Sequence, residues 1–76
     1  MVREQVLPVV SELVANVLAV SVEAGDVVEA GAEVALLESM KMEIPVLAEK
    51  AGTVTEVKVG PGDVVQDGDV LLTLRL

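Results

Sequence analysis

The apolar positions of this chain come in short clusters cut by glycine-containing turns. Val17, Val20 and Val22, with small or polar residues between them, read as a strand, and Val54, Val57 and Val59 read the same way with Thr53, Thr55, Glu56 and Lys58 interleaved. The step from Val17 to Val20 breaks strict alternation and predicts a bulge or twist there. Each cluster is followed by a turn, Glu23-Ala24-Gly25-Asp26 or Gly60-Pro61-Gly62-Asp63, then a short strand, Val27-Val28 or Val64-Val65. A second turn, Ala30-Gly31 or Asp67-Gly68, leads to a last strand, Val34–Leu37 or Val70–Leu74. No stretch carries a convincing helical period. Residues 33–41 have helical propensity, but their counterparts Asp69, Val70 and Thr73 argue strand.

These paired elements make a repeat. Residues 8–38 align with 45–75 without a gap, placing Pro8-Val9 on Pro45-Val46, Gly25-Asp26-Val27-Val28 on Gly62-Asp63-Val64-Val65, and Leu37 on Leu74. Two copies are too few for a solenoid. A pseudo-twofold arrangement in which each copy completes the other's core is the simpler reading. Residues 1–76 are therefore expected to form one all-β domain, a flattened barrel or sandwich of two four-stranded antiparallel sheets. The segment joining the copies should lie at the opposite end from the termini.

Composition narrows what such a domain can do. The chain of 76 residues contains no Cys and no His, and its Asp residues fall in turns, so neither disulfide nor metal is expected to staple it. It is 53% hydrophobic yet has no aromatic residue, leaving a thin core of Val, Leu, Ala and Ile. The formal charge of −8 repels phosphate backbones and anionic membranes, and no ring is present for a base to stack on. Nucleic acid and membrane are thus excluded as expected partners. The apolar runs are too short to span a bilayer, and Met1-Val2-Arg3-Glu4 does not start like a signal peptide. A soluble, cytoplasmic protein is expected.

The chemistry concentrates in the link, Leu36-Leu37-Glu38-Ser39-Met40-Lys41-Met42-Glu43-Ile44-Pro45. It joins two strands directly and so should be a hairpin. Tight hairpins favour Asn-Gly or Asp-Gly because their central residues take positive φ. Met-Lys breaks that preference, whereas the other turns use Gly, and such a departure marks a functional position. Lys41 has no catalytic partner: Ser11, Ser21 and Ser39 lack a His to activate them, and no thiol exists. A domain this thin is not expected to hold a substrate pocket. An exposed lysine at a rigid tip is instead well placed for modification by another protein.

Glu38-Ser39-Met40-Lys41-Met42 closely resembles the Glu-Ala-Met-Lys-Met signature of biotinyl domains, the carriers of biotin-dependent carboxylases. Ser39 replaces the family alanine, small for small. The resemblance extends through Pro45, Gly52-Thr53-Val54, Gly60-Pro61-Gly62-Asp63-Val64-Val65 and Gly68. It implies a barrel-sandwich hybrid, without the thumb insertion of some bacterial carriers, for which the gapless repeat leaves no room. It implies that Lys41 is the biotin attachment site, modified by biotin–protein ligase, with Glu38, Ser39, Met40, Met42 and Glu43 read by that ligase. It further implies that the chain is no enzyme. Its biotinyl-lysine arm would shuttle a carboxyl group between biotin carboxylase and carboxyltransferase subunits. Without a Pro/Ala-rich linker, the chain is similar to the small free-standing biotin/lipoyl attachment proteins.

Plainer readings stand beside these. One of Met40 and Met42 could pack inward as a strand residue, and Glu38 and Glu43 could be a solvated rim. The turn glycines read as structural. A lipoyl carrier would usually show Asp-Lys-Ala around its lysine, so methionine on both sides favours biotin over lipoate. An unmodified β-sandwich that only binds proteins is the third alternative.

Overall fold

The structure, a computed structural model, describes residues 5–76. Eight strands form: β1 (Val6–Val10), β2 (Ala15–Val20), β3 (Val27–Val28), β4 (Glu33–Ser39), β5 (Met42–Leu47), β6 (Gly52–Val57), β7 (Val64–Val65) and β8 (Val70–Arg75). They build two four-stranded antiparallel sheets, ordered β1-β8-β6-β3 and β5-β4-β2-β7. No helix occurs among the described residues, and the thumbless all-β sandwich expected from the sequence is the fold found. The bulge foreseen at Val17–Val20 appears as a register shift between Val17 and Ala19, and its counterpart lies between Val54 and Glu56.

The strands differ from expectation in one respect. Strand β2 begins at Ala15 and ends at Val20, and β6 begins at Gly52 and ends at Val57. Val22 and Val59 lie beyond them, in connecting segments, where each packs against a core cluster from its loop. An apolar side chain can reach the core without belonging to a ladder, and spacing alone does not separate the two cases.

The core is split into two clusters, each drawing on both halves of the chain. One contains Val28, Val34, Val54 and Leu74; the other contains Val65, Leu71, Val17 and Leu37, the same four positions with the halves exchanged. Leu71, Leu72 and Leu74 are fully buried, and truncating any of them to Ala should cost about 2–5 kcal/mol. The turns clasp across the same symmetry. Gly25 donates its N–H to the Val54 carbonyl (2.7 Å), and Val54 donates back to the Asp26 carbonyl (2.8 Å). Gly62 and Asp63 make the mirror pair with Val17, both at 2.8 Å. Gly31-Ala32 and Gly68-Asp69 engage Ala48 and Ser11 in the same way. Four of the six ladders, β1–β8, β2–β7, β3–β6 and β4–β5, join one half to the other.

Sheet edges are protected. Strands β1 and β5 carry Pro8 and Pro45 at their middles, and β3 and β7 are two residues long. A proline lacks the N–H that a docking strand would need, and a two-residue edge offers little to pair with. Below its tip the β4–β5 hairpin packs on the Leu37 cluster through Leu37 and Ile44, whereas the β1–β8 pair gives Val9, Leu72 and Leu74 to the other cluster and Leu71 to the Leu37 cluster.

Candidate functional site at the β4–β5 hairpin

The hairpin closes through two consecutive residues in the left-handed region. Met40 has φ 52° and Lys41 has φ 64°, between the ladder pairs Ser39–Met42 and Glu38–Glu43. This is the primed turn whose twist matches the strands, and it strains any side chain with a Cβ by about 1 kcal/mol or more per residue. Among the described residues these are the only non-glycine residues with positive φ. The chain holds them there through six ladder pairs between β4 and β5 and through the packing of buried Leu37 and half-buried Ile44 beneath the tip.

Every side chain singled out by the sequence lies on this tip. Lys41 is exposed, as are Met40, Met42 and Glu43, while Glu38 and Ser39 are half-buried. Met40 is 88% exposed and Met42 is 60% exposed, so the inward-packing reading holds for neither. Extended and positive-φ backbone carries both thioethers away from the core, leaving adaptable apolar surface on each side of the lysine. Glu38 and Glu43 sit directly opposite one another across the ladder. Among the described residues Lys41 takes part in no ion pair or hydrogen bond. Lys58, by contrast, is paired with Glu56 at 2.5 Å. The tip fits a covalent group: Lys41 is exposed, and its primary amine has no partner among the described residues.

One expectation fails. A shallow cleft of about 280 Å³ does exist, between the edge strands β1 and β5. Leu7, Pro8 and Val9 face Ile44, Pro45 and Val46 across it. Its walls are the outer strands of the two sheets, each bearing a proline, Pro8 or Pro45. Glu12 and Glu49 also line it, but the Ser11 hydroxyl donates to the Leu13 carbonyl (2.6 Å), and no base stands by it. Among the described residues no group of His, Cys, Asp and Glu could hold a metal ion.

A family model described as "Biotin-requiring enzyme", that of the biotin and lipoyl domains, matches residues 4–74. The chain belongs to this biotin/lipoyl attachment family. A Bacillus subtilis biotin/lipoyl attachment protein is 53% identical over 63 residues, covering 83% of this chain and 86% of that protein. Among solved structures, the Kluyveromyces lactis urea carboxylase superposes with a TM-score of 0.86 at 31% identity, covering 97% of this chain. A single-chain, multi-domain long-chain acyl-CoA carboxylase superposes with a TM-score of 0.87 at 34% identity, covering 92%. This chain spans 6% and 7% of those two carboxylases. Membership in the attachment family gives the class of cofactor, covalently held and of the biotin/lipoyl type.

Proposed function

We propose that the chain is a biotin carrier and that Lys41 is its attachment site. The observation that carries this reading is the primed Met40-Lys41 turn, which holds an exposed amine, without a partner among the described residues, at the tip of a hairpin fixed by six ladder pairs. A flexible loop would present a lysine equally well to solvent, but not at a fixed height and direction. Modification forms an amide between Lys41 Nζ and the biotin carboxyl, with ATP split to AMP and pyrophosphate, and the chain gains biotin less water. The amine must shed its proton to a base on the ligase before it can attack. Met40, Met42, Glu38, Ser39 and Glu43 form the surface that the ligase reads, apolar at the turn and acidic below it.

Once attached, biotin supplies the chemistry of carboxyl transfer, and the protein supplies tether and position. The chain itself is no enzyme: it holds the arm so that biotin carboxylase and carboxyltransferase sites meet it at high effective concentration. The carboxylases among the structural relatives support biotin over lipoate, as do the methionines on both sides of Lys41. A cytoplasmic location is part of this reading, since the ligase, ATP and bicarbonate are available there.

The cofactor is tested by competition. The purified chain is incubated in parallel with biotin and biotin–protein ligase, and with lipoate and lipoate ligase, each with ATP, and intact mass is measured. Stoichiometric biotin and at most a trace of lipoate are expected. Preferential lipoylation would assign the chain to the lipoyl carriers, and no modification by either would leave the protein-binding sandwich.

A further inference from the structure

The two halves share backbone positions but not outer surfaces, and the difference falls on the sheet that carries Lys41. On the outer face of the β1-β8-β6-β3 sheet, Thr55 and Thr73 meet hydroxyl to hydroxyl at 2.6 Å, and Glu56 pairs with Lys58. At the equivalent positions of the hairpin-bearing sheet stand Leu18, Leu36, Ala19 and Ser21. Leu18 sits at the bulge in the β2–β4 ladder as Thr55 sits at the bulge in the β6–β8 ladder. Leu36 pairs with the exposed Pro45, so an apolar stripe crosses β2, β4 and β5. Leu18 is 37% exposed and Leu36 is half-buried, and neither packs against either core cluster. The threonines show that the fold does not require leucine at these positions. Two successive outward pairs on the hairpin then read apolar, Leu36–Pro45, and acidic, Glu38–Glu43, before the tip is reached.

We infer that this stripe is the docking surface for the carboxylase component that receives the modified Lys41, a protein surface with an apolar depression rimmed by Lys or Arg. The inference rests on the biotin-carrier reading. The arm itself enters the partner's active site, so the body must be held by surface below the tip. Leu36 lies three strand residues below the Ser39–Met42 pair that closes the turn, roughly 10 Å from it, within the footprint of a partner that surrounds the arm. An active site for ATP and bicarbonate, both anions, is lined by cations, and a basic rim at its mouth complements Glu38–Glu43. A second copy of this chain is the poorer occupant, because it would set Glu38–Glu43 pairs and two charges of −8 against each other.

The test exchanges the two faces. The double variant Leu18→Thr with Leu36→Thr places on the hairpin sheet the residues that the other sheet already tolerates, and Thr55→Leu with Thr73→Leu does the reverse. The Kd of each full chain for the purified biotin carboxylase subunit of its own cell is measured by calorimetry without biotin on either partner. Biotinylation of the wild type and of each variant by ligase, and the oligomeric state of each, are scored separately. Weakening on the order of tenfold is expected in the first variant, with Kd unchanged in the second and the melting temperature of both near wild type. If the double variant does not fold, Leu36→Thr alone is expected to show about half that effect on a logarithmic scale. Equal Kd values for wild type and the Thr variant, or no binding by a wild type that is readily biotinylated, would overturn the docking surface alone. So would wild-type dimers that the Thr variant dissociates, or a loss confined to the ligase reaction. Failure of the wild type to accept biotin would instead overturn the carrier reading.

Discussion

The molecule turns its chain sharply in two ways. At Gly25, Gly31, Gly62 and Gly68 the positive φ falls on glycine, and each turn is clasped by backbone hydrogen bonds from the other half. At the hairpin the same backbone demand falls on Met40 and Lys41, which carry full side chains and point into solvent. The glycine turns minimise strain and are tied down; the hairpin accepts strain and is left free. Asp26, Asp63 and Asp69 reinforce the difference, each accepting a hydrogen bond at 2.8 Å from the N–H three residues earlier. Below the hairpin tip two carboxylates, Glu38 and Glu43, face each other instead. Where stability alone decides the residue the chain follows the conformational preferences of its backbone, and where it departs from them the residue has another task.

The largest effect expected from breaking this contrast is at the clasped turns. Gly62→Val forces a β-branched side chain to φ near 94° and should destabilise by about 2 kcal/mol, roughly 10 °C in Tm, read by thermal unfolding. A Cβ there meets nothing within 4 Å, so the cost is conformational rather than steric crowding. A shift near zero would mean that the turn can relax and that glycine is not needed. The opposite change, Met40→Asn with Lys41→Gly, gives the hairpin the residues its geometry prefers. It should stabilise by about 1 kcal/mol in urea unfolding while abolishing biotin attachment; unchanged or lower stability would remove the argument that the tip is strained. The smallest effect is electrostatic. Glu43→Gln relieves the cross-strand repulsion and should stabilise by about 0.5 kcal/mol at low salt, fading as salt is raised. A loss of stability at low salt would indicate that Glu43 has an attractive partner.

Much of this was legible because backbone demands recur in the sequence. The repeat gave the turns twice, and agreement between Gly25-Asp26 and Gly62-Asp63 located them. The hairpin was legible by contrast, as the turn that ignored the preference the others kept. Strand ends were less so: Val22 and Val59 continue an apolar spacing yet leave the ladder, since burial from a loop and burial from a strand select the same side chains. The cleft between β1 and β5 was missed because its walls come from distant segments, and only the pairing of β1 with β8 and of β5 with β4 leaves those two edges facing. The exposure of Met40 and Met42 needed the actual φ values, which decide where a hairpin's side chains point.

Lys41 is one of three lysines in the chain, and the other two are natural controls. Lys41→Arg, Lys50→Arg and Lys58→Arg are each incubated with biotin, ATP and biotin–protein ligase, and their intact masses are compared with wild type. A gain of one biotin less water is expected in the wild type, Lys50→Arg and Lys58→Arg, and none in Lys41→Arg. Full modification of Lys41→Arg, or its loss in either of the other two, would contradict the assignment of the hairpin tip as the attachment site.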